Sequence, residues 1–333
     1  LALGGVASHR FNSPSPCRGH EWRDFAAETI LESPTSHGDI LTAEMIQAQP
    51  SKTALRVALR RAAHQMHDAK PLVFEDPLAV RILGAEFAEE LRRTPDGDKR
   101  PWSAGLRAFM VARARLAEDT LAAGVRESGV TQYLVLGAGL DTFACRNPYA
   151  DVRVFEVDHP ATQAWKQEML QAAGIAPPAT AHFVAVDFEV DSLRAKLAAA
   201  GFDFAQPTVT AWLGVVPYLT LEAFRATLRV LGRFAAGSAV VFDYAQPREA
   251  LPERERLMLD SLSARVAQAG EPFQLFFTPE QLAEELEWLG LRVAEDLDSA
   301  ALTTRYFAGR SDGLMLRGKG GRMCVAMKAE DRA

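Results

Sequence analysis

The sequence predicts an α/β fold: a doubly wound, mostly parallel seven-stranded sheet preceded by an N-terminal helical cap. Three features predict it. Apolar runs short enough for strands alternate with helical patterns from residue 129 onward, an order satisfied by right-handed crossovers over a parallel sheet. The first run, Tyr133-Leu134-Val135-Leu136, passes directly into Gly137-Ala138-Gly139-Leu140-Asp141-Thr142, and its unbroken apolar character suits a strand buried on both faces. Acids recur where strands end, at Glu156, Asp158, Asp187 and Asp243. Ligands of such sheets sit beyond the carboxyl ends of the strands, so these acids and Gly214 are expected along one rim.

Taken in order, residues 1–45 are rich in Ser, Pro, Gly and His without sustained periodicity, and read as a disordered extension dispensable for the fold. Residues 46–128 read as the helical cap. Within it, Ser51-Lys52-Thr53 supplies an N-cap, and Ala54, Leu55, Ala58, Leu59 and Ala62 recur at helical spacing. Asp76-Pro77 starts a short helix over 78–83, and a longer one runs from Trp102 to Ala123 with Arg113 and Arg115 at its centre. Residues 129–330 read as the ligand-binding domain. After the first strand, further strands are expected at 152–158, 181–186, 208–213, 238–244, 291–295 and 322–327. Helices are expected at 161–173, 192–200, 222–234, 247–268 and 278–290. The run Arg305-Tyr306-Phe307-Ala308-Gly309-Arg310 falls in a connection long enough to carry function.

The glycine turn narrows the ligand. A dinucleotide fingerprint would place a third glycine at Thr142 and bring a helix N-terminus to a pyrophosphate, which Asp141 would repel. An acid there suits a ligand bearing an ammonium and a sulfonium, the charges of S-adenosylmethionine. Glu156 and Asp158 are two apart, hence on one face of the second strand, where a carboxylate accepts from both ribose hydroxyls. Asp187-Phe188 suits adenine, the acid accepting from the exocyclic amine and the ring lying against the purine. Structural alternatives are a capping role for Asp187 and solvated roles for Arg113 and Arg115.

Composition limits the partners. A net charge of −6 over 333 residues supplies no general basic face, so nucleic acid is not an expected partner. No apolar run reaches the ~18 residues of a membrane span, and Leu1 to Ser8 is too short for a secretion signal core. A cytoplasmic location without a membrane partner is expected. Cys17, Cys145 and Cys324 show neither pairing nor metal-ligand spacing, so no metal is expected.

Together these stretches resemble the leucine carboxyl methyltransferase-like family, in particular its bacterial and mycobacterial branch of S-adenosylmethionine-dependent methyltransferases. The resemblance rests on Leu136 to Thr142, Phe155-Glu156-Val157-Asp158-His159-Pro160, Val186-Asp187 and Trp212 to Leu219. Upstream, Ser51 to Ala54, Phe74-Glu75-Asp76-Pro77 and Met110 to Arg115 also fit, as does the late Arg305-Tyr306-Phe307. It implies a class I methyltransferase, a Rossmann-like sheet binding S-adenosylmethionine. Arg113 then meets the carboxylate of the methionine moiety, Gly137 and Gly139 form the turn beneath it, Asp158 or Glu156 is the ribose acid, and Asp187 with Phe188 contacts adenine. One departure stands out: where many members carry a glutamate before the glycine of the fourth-strand motif, this chain has Leu213.

The expected reaction is O-methylation of a small-molecule acceptor. Alternatives are a carboxyl methyltransferase acting on a protein or peptide terminus, a cofactor-binding protein without catalysis, motivated by Leu213, and a nicotinamide-dependent oxidoreductase, opposed by Asp141 and Thr142. A carboxylate acceptor needs no general base, whereas a phenol or alcohol benefits from one. His159, Tyr218, Asp243 and Tyr244 are the rim candidates; Tyr218 is favoured on the acceptor side, and His159 reads as structural. Arg305 and Tyr306 are candidates for binding an anionic or aromatic acceptor.

Overall fold

The computed structural model describes residues 51–93, 101–188, 190–268, 270 and 272–328. The extension assigned to residues 1–45 lies outside them. Among the described residues three helices come first: α1 (Lys52–His67), α2 (Ala79–Arg93) and α3 (Pro101–Ser128). Ser51 caps α1, its Oγ accepting from the Ala54 N–H at 3.1 Å. Beyond the expected 78–83 stretch, α2 continues past a break at Gly84, where φ is 85° and helical hydrogen bonding cannot run through.

Strands and helices then alternate. They are β1 (Gln132–Leu136), α4 (Phe143–Arg146), β2 (Arg153–Asp158), α5 (Pro160–Ala172), β3 (Ala181–Ala185), α6 (Leu193–Ala199) and β4 (Thr208–Trp212). After a 3-10 turn at Val216–Tyr218 come α7 (Leu221–Leu231), β5 (Ala239–Ala245), α8 (Glu253–Gln268), α9 (Pro279–Trp288), β6 (Leu291–Leu297), α10 (Ser299–Tyr306) and β7 (Gly321–Lys328). The seven strands form one sheet in the order β3-β2-β1-β4-β5-β7-β6. Strands β1 to β5 pair in parallel, and β7 runs antiparallel between β5 and β6. The strand order reverses at β1 and β4, which puts the switch point beside the glycine turn.

The alternation of side chains along each strand divides the core in two. Tyr133, Val135, Val154, Val209 and Val241 pack under Val111, Leu116 and Leu121 of α3. Leu134, Leu136, Phe155, Val157, Trp212 and Phe242 point to the other face, against Leu197 of α6, Phe224 and Leu228 of α7, and Leu282 and Leu286 of α9. Every β1 residue is buried, as its unbroken apolar run requires.

Besides the longer α2 and the unforeseen single turn of α4, two elements differ from expectation. Residues 299–306 are helical rather than irregular: Asp298 caps α10, its Oδ1 accepting from the Ala301 N–H at 2.8 Å. The paired threonines and the single fully buried anchor, Leu302, left little helical signal in the sequence. The helix expected from 247 begins at Glu253, because Pro247 introduces a separate 3-10 turn at Arg248–Ala250.

Candidate active site at the carboxyl rim of the sheet

The turn leaving β1 requires its two glycines. Gly137 and Gly139 have φ of 66° and 49°, the left-handed region that glycine enters without steric penalty. A Cβ on Gly137 would lie 2.4 Å from Val215 Cγ2, and one on Gly139 would lie 3.0 Å from Ala54 Cβ. The turn is therefore packed between the loop after β4 and the first helix. It is also tied to β2: the Gly137 N–H donates to the Val157 carbonyl at 2.8 Å, and the Gly139 N–H to Asp158 Oδ2 at 2.6 Å.

Asp158 and Glu156, alike in sequence, sit in different surroundings. Both Asp158 oxygens are engaged, Oδ1 accepting from the His159 N–H at 2.7 Å and Oδ2 from Gly139. Burial raises the Asp158 carboxyl, and these two N–H donors oppose the rise. Glu156 lies one rung deeper and is 1 % exposed. Its Oε2 is ion-paired to Lys166 of α5, while Oε1 is buried with no hydrogen-bond partner among the described residues. Burial raises the Glu156 carboxyl too, against the pull of Lys166.

Asp141 is held from the cap. Arg61 of α1 donates through Nη1 to Asp141 Oδ2 and through Nη2 to Asp76 Oδ2, each at 2.6 Å. Asp141 Oδ1 accepts from the Phe143 N–H at 2.7 Å. The Thr142 hydroxyl donates to the Asp76 carboxylate at 2.7 Å, and Arg146 bridges Asp76 and Glu118. Burial alone would raise the Asp141 carboxyl, but Arg61 and Arg146 outweigh it and hold it well below the carboxylate range. Asp141 thus joins cap and turn, with its side chain 20 % exposed. Thr142, where a dinucleotide fold needs a glycine, is buried in the same network, and α4 behind it is a single turn.

Arg113 reaches the rim from α3. It is 6 % exposed, and its Nη1 lies 3.2 Å from Asp243 Oδ2 at the end of β5. The other carboxylate oxygen accepts from the Gly214 N–H at 2.5 Å. A Cβ on Gly214, where φ is 72°, would meet the Arg113 guanidinium at 2.8 Å. Gly214 is therefore the residue that lets a guanidinium lie against the end of β4. A guanidinium has five N–H donors in a fixed fork, and a carboxylate ligand needs two of them.

The remaining candidates divide. Tyr218 closes the 3-10 turn after β4, its ring 5.1 Å from Phe273 and its carbonyl accepting from Gln274 Nε2 at 2.8 Å. Asp187 sits in a turn after β3 in which its N–H donates to Asp191 Oδ2 at 3.0 Å, with Phe188 exposed beside it. His159 caps α5, Nδ1 accepting from the Ala161 N–H at 3.3 Å, as the structural reading expects. The Tyr244 hydroxyl is buried on Asp296 at 2.8 Å, which removes it from the rim candidates. Arg305 pairs with Glu295 at 2.6 Å, and the Tyr306 hydroxyl donates to Asp119 Oδ2 at 3.0 Å. Asp119 follows Arg113 by six residues on α3, roughly 9 Å farther along the axis at 1.5 Å per residue. Arg305 and Tyr306 are thus each engaged by a carboxylate of the chain.

A family model described as leucine carboxyl methyltransferase matches residues 54–232. The chain belongs to this family. It is 31% identical over 294 residues to the Bacillus subtilis protein named "Putative S-adenosyl-L-methionine-dependent methyltransferase YktD", covering 81% of this chain and 95% of that one. A Mycobacterium bovis protein with the same kind of name is 37% identical over 185 residues, 51% of this chain and 57% of its own. Among solved structures, a methyltransferase-titled protein from Thermobifida fusca superposes with a TM-score of 0.50 at 16% identity, covering 87% of this chain and all of its own. A duf574 family protein from Streptomyces avermitilis gives 0.51 at 18%, covering 85% and 99%. These two likenesses show the fold, and they agree with the class I methyltransferase sheet expected from the sequence.

Within this family member, Arg61, Thr142, Glu118, Arg146 and Lys166 are the site-supporting residues that sequence reasoning missed. Lys166 carried a usable signal: Thr162, Lys166 and Leu170 form one buried stripe of α5, and a lysine on such a stripe demands an acid beneath it. Leu213, at the position of the missing glutamate, packs against the α3 side of the core. Among the described residues no group of three or more His, Cys, Asp or Glu side chains is placed to hold a metal ion, and no helix is long and apolar enough to cross a membrane.

Proposed function

We propose that the protein is an S-adenosylmethionine-dependent methyltransferase acting on an oxygen of a small-molecule acceptor. The observations that carry the cofactor assignment are the end of β2 against the glycine turn, where Asp158 Oδ2 accepts from the Gly139 N–H at 2.6 Å, and the buried, unpartnered Oε1 of Glu156 two residues before it. A buried carboxylate oxygen without a donor costs free energy, and ribose hydroxyls are donors of the right kind.

The residues present fit the cofactor. Arg113, held by Asp243, would take its carboxylate; the Gly137 to Gly139 turn would admit its chain close to the backbone; Asp158 or Glu156 would accept from the ribose. Asp187 and Phe188 would flank adenine. When bound, S-adenosylmethionine supplies an electrophilic methyl on a sulfonium. The protein's own part is to align an acceptor oxygen with that methyl and to exclude water. Because Glu156 is sealed from solvent, admitting a ribose would require the covering side chains to part. Tyr218, at the mouth of β4, would orient a phenol or alcohol acceptor through its ring and hydroxyl.

The family description favours a second reading, a carboxyl acceptor at a protein or peptide terminus. Such an acceptor is already anionic and needs no base, so loss of the Tyr218 hydroxyl would leave its methylation unchanged. Calorimetric titration with S-adenosylmethionine, S-adenosylhomocysteine and NAD tests the cofactor assignment. Micromolar binding of the first two without NAD binding is expected; a folded sample that binds neither overturns it. Mass spectrometry of acceptor mixtures for gain of one methyl group then separates small molecules from peptides, and any turnover excludes a non-catalytic role.

A further inference from the structure

Between β5 and α9 the chain leaves the rim, forms α8 and returns to it. On its return it is bonded to the ends of two strands. The Gln274 N–H donates to the Pro217 carbonyl at 2.7 Å, and Gln274 Nε2 to the Tyr218 carbonyl at 2.8 Å. Three residues on, the Phe277 N–H donates to the Ala245 carbonyl at 3.0 Å. Pro217 follows β4 and Ala245 ends β5, so residues 274–277 form a strap across the carboxyl ends of these two strands. Ligands of such sheets bind at those ends.

The side chains of the strap divide by depth. Leu275 and Phe277 are buried and anchor it in the core, the Phe277 ring 5.1 Å from that of Phe224. Phe273 and Phe276 are only half-buried, as is Tyr218. The Phe273 ring packs on Tyr218 with 5.1 Å between centroids and 47° between planes, and Phe276 meets Phe273 edge-on at 6.5 Å and 89°. These three rings keep apolar surface in water, a cost that a ligand covering them would remove.

The cluster lies next to the groups assigned to the cofactor. Tyr218 is four residues from Gly214, which sits against the Arg113 guanidinium, and four residues of chain span at most about 14 Å. Val215, between them, packs against Gly137 of the glycine turn. Neither Leu213 to Leu219 nor Pro272 to Pro279 contains a charged residue, and Arg113 is already paired with Asp243. An anionic chain terminus would find no cation in these two segments. A flat neutral ring would find aromatic faces.

We propose that the methyl acceptor is a phenol whose ring packs on Phe273 and Tyr218, with Phe273 as the residue that selects an aromatic acceptor. This rests on the methyltransferase reading above and deepens it by naming the class of acceptor. Aromatic rings favour offset or edge-on partners with centroids about 4.5–7 Å apart, and the Tyr218, Phe273 and Phe276 rings already keep that spacing among themselves.

The test is the preference for an aromatic over a saturated ring, a quantity that a merely structural phenylalanine would not move. Calorimetry on the protein loaded with S-adenosylhomocysteine would compare 1-naphthol and 2-naphthol with their decahydro counterparts and with a short peptide bearing a free carboxyl terminus. The wild type is expected to bind at least one naphthol about two- to tenfold more tightly than its saturated counterpart, the excess of an aromatic pair over its buried area. Phe273→Leu keeps apolar bulk without the ring, so that ratio should fall to about one while S-adenosylhomocysteine binding persists; Phe273→Tyr should keep the ratio. If Phe273→Leu does not fold, Phe273→Met takes its place with the same fall expected. A folded Phe273→Leu or Phe273→Met that keeps the wild-type ratio overturns the role of Phe273. A wild type that binds S-adenosylhomocysteine but neither naphthol, or that binds the peptide in their place, overturns the inference alone. A folded wild type that binds no S-adenosylhomocysteine overturns both the inference and the methyltransferase reading.

Discussion

Arg61 in the first helix and Asp141 in the turn behind the first strand are joined by a 2.6 Å ion pair, although 80 residues separate them in the chain. The guanidinium is buried and shared with Asp76, whose own side chain is fully buried. The cap is thus fastened by charge to the segment that carries Gly137 and Gly139.

Removing Arg61 leaves two acids without their shared cation. Arg61→Met is expected to cost about 3–5 kcal/mol, the usual penalty for breaking a buried pair. Urea unfolding monitored by circular dichroism measures it, and a change below about 1 kcal/mol would show that the network contributes little.

The same pair sets an acid sensitivity. Burial alone would raise the Asp141 carboxyl, yet Arg61 and Arg146 hold it below its unfolded value, which lies near ~3.9. A depressed folded value means the stabilisation is complete above about pH 4 and is lost as the pH falls toward the folded value. Melting temperature should therefore drop more steeply below about pH 4 in the wild type than in Asp141→Asn. Parallel acid profiles would contradict this assignment.

Gly137→Ala introduces two costs at once. The left-handed backbone costs about 1–2 kcal/mol, and the new methyl would lie 2.4 Å from Val215 Cγ2. Val215→Ala in the same chain should recover the steric part and leave the backbone part. Differential scanning calorimetry of the single and double variants separates the two, and absence of any recovery would place the strain elsewhere.

Arg113→Met is expected to weaken S-adenosylhomocysteine binding by roughly 10- to 150-fold, the 1.5–3 kcal/mol of a hydrogen bond to a charged group. Asp243 keeps its bond to the Gly214 N–H, so the fold should survive. Titration calorimetry reads the loss, and unchanged affinity would remove Arg113 from the cofactor site.

Much of this arrangement was legible in the sequence. The doubly wound, mostly parallel sheet follows from alternation and handedness, and the glycine turn announces itself because an apolar strand runs into residues that need positive φ. Depth was not legible. Glu156 and Asp158 share a face in any strand, and only the folded structure shows that the outer acid is tied to main-chain N–H groups while the inner one is buried on Lys166 with one unpartnered oxygen. Long-range pairing was equally hidden. Nothing local announces that Asp141 pairs with Arg61 of the cap, or that the Tyr306 hydroxyl meets Asp119, 187 positions away. Arg113 was visible through its family motif, but its support by Asp243 depends on two elements 130 residues apart.

The cap-to-turn network also orders events during synthesis. Arg61 and Asp76 leave the ribosome well before Thr142, which lies 66 residues beyond Asp76, and Arg146 follows later still. A nascent chain that ends short of Asp141 has Arg61, Asp76 and Glu118 of the cluster and none of the acids and donors of the turn they secure. The rim can acquire its shape only after β1 and the start of α4 have been made, when a long loop closes on charges already waiting. A truncated chain missing the cap would meet the converse difficulty, with the turn formed and its anchor absent.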